Sequence, residues 1–562
     1  MGSRSYRNRV ETFLTANGLR FEEVDSYYAL LDGEGRIVAG AGLRGDVVKC
    51  VAVDPSERSG GLLAPLVSHI ISQASRRGVS NLKVFTKPQN EGIFGSLGFH
   101  PVASAPKAIL MENGCGLEEY LSYLRSLRQP GRCGAVVMNA NPFTLGHRYL
   151  VEKALERVDH LFIIPVRDEN FFPYRERLEM IRAGVACLGD RVTVADGSAY
   201  CISAATFPTY FLKELSDASE TQMRLDINLF RNHIAPALEA SVRFVGSEPF
   251  DPLTARYNVL LQELMPGQVV EVPRLEGISA SAVRRFLDQG ECRKASSLTP
   301  ETTHPYLLAS LAARALRLEL DTPLKPGLVC PDSRGAHKDM DHSLMLKGIA
   351  AIRPFFPRMV SAGSPGVLRQ AGIDAENAML AATGGVNTHR GAIFALGLAL
   401  AAAGSVPERD LEVIEYERFM QKRMVEIAGA IFDNVLVDSE LQITHGREAA
   451  ERFGVKGARD MAADGYKVLF GDWLPYYRSL RQAQRPEKTL LRIMATLDDT
   501  CVIHRVGLDR AREVKDEAKA LLESFSEEGL KEMKARYDAQ GISPGGAADM
   551  LALTIFMDSL IN

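Results

Sequence analysis

The pattern of apolar residues changes twice along this 562-residue chain, and these changes constrain the fold more than any single motif. Short β-rich runs between glycine-containing turns occupy residues 27–53 and predict an antiparallel meander. From Arg132 onwards strand and helix patterns alternate, which is typical of a parallel sheet covered by helices. Beyond residue 303 only helical patterns rich in Ala and Leu remain. One hydrophobic core does not suit all three patterns, so we expect several domains.

The predicted fold class is multidomain: an α+β domain, an α/β Rossmann-like domain with a parallel sheet, and an all-α domain. A Ser-, Thr- and Pro-rich stretch without periodicity at 295–305 marks the second boundary. The expected limits are 1–128, 129–295 and 303–562.

Composition and charge narrow the functional classes. Lys and Arg number 66 against 70 Asp and Glu, so the net charge of −4 favours neither nucleic acid nor an anionic membrane as a partner. The longest apolar run, Gly391 to Gly404, is too short for a bilayer and predicts a buried helix. The first residues include no apolar segment of the secretory type. Eight scattered cysteines without a CxxC pair suit a reducing cytoplasm, which is the predicted location.

A candidate phosphate site follows the first strand of the middle domain. The segment MNANPFTLGHRYLVEKA (138–154) places Thr144, Gly146 and His147 where a strand ends and a helix begins. Ligands bind at the carboxyl edge of open α/β sheets. Helix N-terminal amides attract phosphate, and an imidazole there can stabilise charge on a transferring phosphoryl group.

A second element, ISASAVR at 278–284, repeats this chemistry late in the same domain. Ser279 is a predicted N-cap, Ser281 lies beside it, and Arg284 lies one turn inside the helix. Each element alone is also explained by helix capping or a packed histidine, and their order along the chain makes the pair specific.

Four neighbouring polar residues have two interpretations. Asn139 and Asn141 can orient a ligand, although turn chemistry around Pro142 explains them equally well. Arg175 and Arg177 can contact phosphate, but a solvated helix face explains them better.

These segments resemble the HxGH nucleotidylyltransferase superfamily, with Thr144 at the first His position, and more closely the citrate lyase ligases. The resemblance covers most of residues 1–295. It implies that acetate attacks the α-phosphate of MgATP and that the acetyl-adenylate acylates a CoA-like thiol on the acyl-carrier subunit of citrate lyase. It would place His147 and Thr144 at the α-phosphate, and Ser279, Ser281 and Arg284 at the departing pyrophosphate.

The first domain resembles the GNAT acetyltransferase fold through VAVDPSERSGGLLAPL and NEGIFGSLGFHPV. The family's pyrophosphate loop follows R/Q-x-x-G-x-G/A, and Arg58 and Gly61 fit it, with Gly60 beside them in the candidate loop. Leu63 stands where the family has Gly or Ala, and its side chain would obstruct the backbone approach that pyrophosphate needs. We expect a degenerate module that either docks the carrier's CoA-like arm or only packs against its neighbour.

Four polar clusters interrupt the helical pattern of the last domain. They lie at 322–341, 383–394, 498–505 and 543–550. Asp339 and Asp341 are adjacent oxygen ligands of the kind that Mg²⁺ uses beside phosphate. Any single histidine here is more often structural, but four clusters together indicate a site. The groups that could contact a polyphosphate are Lys325, His337, Asn387, His389, Arg390, His504 and Arg505.

The segments KPGLV, GAHKDMD, TGGVNTHRGAI and SPGGAADM resemble triphosphoribosyl-dephospho-CoA synthases across residues 303–562. The resemblance implies that ATP and 3′-dephospho-CoA react with release of adenine, when a ribose 2′-hydroxyl displaces the base. Cys501 replaces the Asn of the family's Asp-Thr-Asn, which leaves its local role open. The catalytic candidates are His337, Asp339, Asp341, Asp499 and Asp549, and the choice of general base among the aspartates stays open.

Together these resemblances predict a bifunctional enzyme that matures the prosthetic group of citrate lyase. Three alternatives remain: the same chemistry serving malonate decarboxylase, adenylyl transfer to a phosphate acceptor, and a catalytically inactive carrier-protein chaperone. The intact Gly146-His147 and Asp339-x-Asp341 pairs speak against the last one.

Overall fold

The structure is a computed structural model, and it describes most of the chain. The described residues are 4–58, 60–169, 171–202, 207–212, 216–248, 251–407, 411–435 and 454–561. The chain divides into two compact units, Met1–Ile278 and Ser279–Asn562, which are described separately. This division falls earlier in the chain than the expected limit at residue 295.

The first unit begins with a mixed six-stranded sheet in the order β1-β2-β3-β4-β6-β5. Its strands are β1 Ser26–Leu31, β2 Ile37–Arg44, β3 Val47–Val53, β4 Lys83–Thr86, β5 His100–Ala105 and β6 Ala108–Glu112. Strands β1 to β3 are antiparallel neighbours, so the predicted meander is confirmed. The accompanying helices are Arg4–Ala16, Leu63–Arg76, Glu91–Gly95 and Gly116–Ser126.

The second sheet of this unit has five strands, in the order β11-β10-β7-β8-β9, and every neighbouring pair is parallel. The strands are β7 Cys133–Met138, β8 His160–Pro165, β9 Val192–Val194, β10 Ala240–Gly246 and β11 Val269–Val272. The helices are Leu145–Leu155, Tyr174–Val185, Ser216–Leu229, Ala235–Leu238 and Pro252–Leu264. The predicted parallel α/β sheet is therefore confirmed, strand by strand.

The two sheets of the first unit share one apolar core. Phe85 and Leu110 from the mixed sheet belong to the same buried cluster as Ala135 and Phe162 from the parallel sheet. Sharing a core fixes the parallel sheet on a rigid support.

The second unit is helical among its described residues, apart from an isolated bridge between Cys330 and Ser333. The helices are Ala280–Gln289, Cys292–Ser297, His304–Asp321, His342–Ile352, Phe356–Val360, Pro365–Ala382, Arg390–Gly404, Val413–Val435, Ala458–Ala463, Leu474–Ser479, Arg485–Thr496, Thr500–Val506, Leu508–Glu523, Glu527–Gln540 and Gly545–Ile561. The predicted all-α class is confirmed.

Three helices form the centre of this unit: His304–Asp321, Arg390–Gly404 and Gly545–Ile561. The helix Arg390–Gly404 is buried along almost its whole length, as its Ala- and Leu-rich sequence predicts. Within the described part of the chain, no helix is both long and apolar enough to cross a membrane.

Two candidate active sites

The turn after β7 holds His147 through its own neighbours. Thr144 is the N-cap of the helix Leu145–Leu155, and its hydroxyl accepts a hydrogen bond from the His147 backbone N–H at 3.4 Å. The Thr144 backbone N–H in turn donates to His147 Nδ1 at 3.0 Å, and the Thr144 hydroxyl lies 2.8 Å from that nitrogen. This reciprocal capping box fixes the imidazole at the carboxyl edge of the parallel sheet.

The hydrogen-bond pattern assigns the proton of His147. Because Nδ1 accepts the Thr144 N–H, the neutral ring carries its proton on Nε2, where it is a donor. Burial, with a smaller contribution from Arg274, lowers the pKa of His147 to about 4. The imidazole is therefore neutral at pH 7. Thr144 is itself buried, so its hydroxyl acts on the imidazole.

Arg177 corrects the interpretation of a solvated helix face, because its side chain is fully buried. Its Nη1 donates to the Asn139 carbonyl at 2.5 Å and to Asn139 Oδ1 at 2.8 Å. Its other nitrogens donate to the carbonyls of Val166, Asp168 and Phe172. Arg177 thus ties the loop after β7 to the loop after β8 and shapes the edge of the sheet.

The neighbouring polar side chains have different environments. Asn141 is buried, and its Oδ1 accepts the backbone N–H of Phe172 at 3.0 Å, as turn chemistry predicts. Arg175 has 89% of its side chain exposed, which matches the solvated interpretation.

Arg274 is a cation beside His147 that sequence reasoning missed. It follows β11 and pairs with Glu248, which follows β10. Its Nε donates to the Ile278 carbonyl at 3.4 Å, and Ile278 lies against Gly146, where an added Cβ would be 3.6 Å from its side chain. The signal that could have found it is its position at the carboxyl end of a strand neighbouring the candidate edge.

The second sequence element has local cap geometry. Ser279 caps Ala280–Gln289, and its hydroxyl accepts the Ala282 N–H at 3.0 Å and lies 3.1 Å from the Ser281 hydroxyl. Arg284 is partly buried, and desolvation lowers its pKa.

The loop between β3 and the helix Leu63–Arg76 is exposed. Arg58 Nε lies 3.5 Å from the Val53 carbonyl, and Gly60 and Gly61 face solvent. Gly61 has φ +67°, a conformation that favours glycine.

In the second unit, the start of the helix Gly545–Ile561 contacts the first cluster. A Cβ on Gly327 would lie 1.8 Å from the carbonyl oxygen of Ile542, so KPGLV packs directly on this segment. His337 Nε2 lies 2.8 Å from the hydroxyl of Ser543. Arg505, from the third cluster, lies 3.4 Å from the other ring nitrogen of His337.

Asp499 joins the third cluster to the same helix start. Its carboxylate accepts the N–H groups of Cys501 at 2.9 Å and Ala547 at 2.8 Å, with further bonds from Val502 and Gly546. The carboxylate therefore caps two helices together, which is a positioning role.

Asp549 meets the second cluster. A Cβ on Gly391 would lie 2.0 Å from Asp549 Oδ2, and the Ala392 backbone N–H donates to this carboxyl. Burial and the charges of Glu319 and Asp499 raise the pKa of Asp549 well above its usual range. The first three sequence clusters therefore all contact the segment 542–549, which includes the fourth cluster and the start of Gly545–Ile561.

Lys325 and Glu319 form a buried ion pair beside this point, with Nζ and Oε1 2.5 Å apart. His389 is also buried, and burial together with Lys325 lowers its pKa to about 3. Its Nδ1 lies 2.8 Å from the Thr388 hydroxyl, whereas its Nε2 has no hydrogen-bond partner.

Asp339 and Asp341 line a surface pocket with the basic residues Arg334, Lys338 and Lys347. Asp339 is exposed, whereas Asp341 caps His342–Ile352 and pairs with Arg334 at 3.1 Å. His389 lies against Gly348 of that helix. Gly348 is about 10 Å along the helix axis from the Asp341 cap.

Asp339 and Asp341 suit a divalent cation that binds together with nucleotide phosphates. They suit a metal held by protein ligands alone less well. Both carboxylate oxygens of Asp341 already accept hydrogen bonds, from Arg334 and from the Leu344 N–H. The carboxylate of Asp339 is exposed to solvent. No group of three or more His, Cys, Asp or Glu residues suited to a metal occurs among the described residues. Such a cation would therefore complete its shell with phosphate oxygens.

The remaining candidates lie at helix ends. Asn387 Oδ1 accepts the Arg390 backbone N–H at 3.0 Å, and Arg390 pairs with Glu376, with Nε 2.6 Å from Oε1. His504 and Arg505 are exposed on Thr500–Val506.

Comparisons with known proteins match both halves of the chain. The model of the citrate lyase ligase C-terminal domain matches residues 133–307, and the model of ATP:dephospho-CoA triphosphoribosyl transferase matches residues 305–562. The citrate (pro-3S)-lyase ligase of Klebsiella pneumoniae is 40% identical over 318 residues, covering 54% of this chain and 92% of that protein. A Streptococcus mutans protein named a probable 2-(5″-triphosphoribosyl)-3′-dephosphocoenzyme-A synthase is 36% identical over 283 residues, covering 45% of this chain and 96% of that protein. The chain belongs to both families.

The predicted fusion of a citrate lyase ligase with a triphosphoribosyl-dephospho-CoA synthase is thus confirmed, and the chain is an enzyme. We call the Thr144–His147 turn with Arg274 the ligase site, and the four converging clusters the synthase site. Sequence reasoning missed Glu319 in the synthase site because it is the single acid inside the apolar segment 304–320. It also missed Tyr466, whose buried hydroxyl has no hydrogen-bond partner.

Proposed function

We propose that the protein carries out two steps in maturing the prosthetic group of citrate lyase. At the ligase site, an acetate oxygen attacks the α-phosphorus of ATP and the bond to the β-phosphate oxygen breaks, which releases pyrophosphate. The acetyl-adenylate then acetylates the thiol of the CoA-like group on the acyl-carrier subunit, and AMP leaves. The observation that carries this half is the neutral His147, held with Nε2–H as its donor at the carboxyl edge of a parallel sheet.

The roles of the ligase residues follow from their positions. His147 Nε2–H donates to an α-phosphate oxygen and stabilises its growing charge without giving up the proton. Thr144 orients the ring, and Gly146 and the helix start offer backbone N–H groups to phosphate. For Ser279, Ser281 and Arg284, the contact with the β- and γ-phosphates stays the prediction made from the sequence resemblance. Asn139 orients the ligands from the loop that Arg177 fixes.

At the synthase site, the 2′-hydroxyl of 3′-dephospho-CoA displaces adenine from the ribose of ATP. The new bond joins the hydroxyl oxygen to the anomeric carbon, and the carbon–nitrogen bond to adenine breaks. The observation that carries this half is the contact of the first three polar clusters with the segment 542–549, which includes the fourth cluster. Arg334, Lys338 and Lys347 would neutralise the triphosphate at the adjoining pocket.

Mg²⁺ is the cation we propose at both sites, bound with ATP. It neutralises phosphate charge when bound. Asp339 would ligate it directly at the synthase site, and Asp341 would orient the helix His342–Ile352 beneath it.

The acceptor decides between this proposal and its alternatives. Acetate-dependent exchange of label between pyrophosphate and ATP supports a ligase, whereas exchange only with a phosphorylated acceptor supports an adenylyltransferase. Mass spectrometry of carrier proteins incubated with ATP and acetate separates citrate lyase from malonate decarboxylase.

The eight cysteines carry no disulfide, which supports a cytoplasmic location.

The direct test of the ligase half is His147→Ala. Loss of one preorganised donor is expected to lower acetate-dependent exchange by about 10²- to 10³-fold. His100→Ala, at a histidine with 56% of its side chain exposed, is the matched control and keeps activity. Exchange that survives His147→Ala would refute the assigned role.

A further inference from the structure

The buried part of the synthase site contains more carboxyl groups than it can hold as anions. Glu319 and Asp499 both lie close enough to Asp549 for their charges to raise the pKa of its carboxyl group. Lys325 is the cation paired within this group. The nearby His389 is neutral, because burial and Lys325 disfavour its protonated form. Since unpaired buried carboxylates are costly, one of the three carboxyl groups must hold a proton.

Hydrogen bonds identify which carboxyl group is neutral. Lys325 pairs directly with Glu319, and at Asp499 four backbone N–H groups oppose the burial that raises the pKa of its carboxyl group. Asp549 receives the Ala392 N–H and faces the two other carboxylates. The proton therefore resides on Asp549, in agreement with the raised pKa of this carboxyl group.

Two further buried polar groups of the synthase site lack a hydrogen-bond partner. The hydroxyl of Tyr466 and Nε2 of His389 are buried without hydrogen-bond partners, and their residues are 2% and 4% exposed. Tyr466 lies near enough to Asp549 for the carboxyl charge to raise its pKa. Native proteins pair almost all buried polar groups with protein, ordered water or a ligand, so these two groups are positioned to bind a polar molecule.

The starts of two helices border the Asp549 carboxyl, and Gly391, Gly545, Gly546 and Asp549 are each partly exposed. At Gly391 the absence of a side chain is what leaves room for the Asp549 carboxyl. Gly391 lies two residues after His389, so the chain places the unpartnered imidazole beside the segment that contacts Asp549.

We propose that this cluster is the pocket for the leaving adenine, with Asp549 as the general acid and His389 and Tyr466 as its hydrogen-bonding partners. The inference rests on the proposed synthase reaction and assigns Asp549 the role of acid rather than base.

The proton transfer balances within the proposed reaction. As the bond between the anomeric carbon and adenine N9 breaks, its electron pair moves to the base, and the Asp549 proton goes to an adenine ring nitrogen. The 2′-hydroxyl oxygen bonds to the anomeric carbon, and its proton returns through solvent or a base to the Asp549 carboxylate. No oxidant or reductant is needed.

The test compares two leaving groups in the full-length protein. Asp549→Asn is expected to lower adenine release from ATP at least about 100-fold, the usual worth of a general acid. With an ATP analogue methylated at N7 of adenine, the base leaves uncharged without a proton, so the same variant is expected to lose less than about 5-fold. Asp509→Asn, at an aspartate with 96% of its side chain exposed, is the control.

The outcomes separate the inference from the function it rests on. An equal loss with both substrates, or no loss with ATP, would overturn the role of Asp549 as acid. No adenine release from the wild-type protein would overturn the proposed synthase activity and this inference with it. Thermal unfolding of the same Asp549→Asn preparation, compared with the wild-type protein, verifies that the second unit of the variant is folded.

Tyr466→Phe gives a second, independent test of the pocket. Removing an unpartnered buried hydroxyl should leave the stability of the free protein unchanged or higher, while raising the KM for ATP about 5-fold in the adenine-release assay. A destabilised variant with an unchanged KM would show that the hydroxyl serves the fold and would contradict the pocket.

Discussion

The two sites are built over very different spans of sequence. The ligase site depends on a turn in which Thr144 and His147, three residues apart, fix each other. The synthase site collects Glu319, Lys325, His389, Asp499 and Asp549 from segments far apart in the chain. A local site tolerates changes elsewhere in its unit, whereas a dispersed buried site depends on the packing of the whole unit. Both sites nevertheless hold a neutral histidine beside a cation.

The largest effect of this difference is expected at the buried ion pair. Lys325→Met leaves Glu319 buried and unpaired, so the free energy of unfolding of the second unit should fall by about 3–5 kcal/mol, with adenine release lost. Thermal and denaturant unfolding measure the change, and Lys531→Met at a half-exposed lysine is the control. The double variant Glu319→Leu/Lys325→Met should regain most of the stability without activity. Full stability of the single variant would contradict a dispersed site that depends on buried charge.

On the ligase side of the comparison, Arg177 is a fully buried cation. Arg177→Ala removes hydrogen bonds to several carbonyls of two loops and should lower the free energy of unfolding by about 3 kcal/mol. Arg175→Ala, two positions away on the exposed face, should change it by less than about 0.5 kcal/mol. Equal losses in the free energy of unfolding of the two variants, measured by urea titration, would contradict the buried role of Arg177 and favour a solvated side chain.

Substitutions of one glycine in each site compare how tightly the two sites are packed. Gly391→Ala would place a Cβ 2.0 Å from the Asp549 carboxylate, so about 1–3 kcal/mol of stability and most adenine release should be lost. Gly146→Ala would place its Cβ an ordinary 3.5 Å from the Thr144 hydroxyl, so the free protein should keep its stability. A raised KM for ATP in Gly146→Ala would then report the approach of phosphate to this turn. Equal destabilisation by both changes would contradict the difference in packing.

The smallest expected effect concerns the pH response of His147. Its native pKa of about 4 lies below the unfolded value of about 6.5. Between these values the unfolded chain binds a proton that the native one does not, so stability falls as the pH falls from about 6.5 to 4. Arg274→Ala should raise this pKa, because the change removes a positive charge near the ring. NMR titration of His147 measures the effect, and an unchanged pKa would contradict the influence of Arg274 on the imidazole.

The sequence was sufficient for features that depend on local pattern. The parallel strands, the helix start beside Thr144 and the Ser279 cap all follow from alternation and helix-start chemistry, and the structure has them where expected. The burial of Arg177 could not be predicted, because it depends on where the loops after β7 and β8 meet. The convergence around Asp549 likewise depends on tertiary packing, which motif order alone does not reveal.

The most direct test of the whole account is a reciprocal assay of two variants in one chain. His147→Ala and Asp549→Asn are each assayed with ATP for acetate-dependent pyrophosphate exchange and for adenine release with 3′-dephospho-CoA. We expect His147→Ala to lose exchange and keep adenine release, and Asp549→Asn to do the opposite. Loss of both activities in either folded variant would contradict two independent sites in this protein.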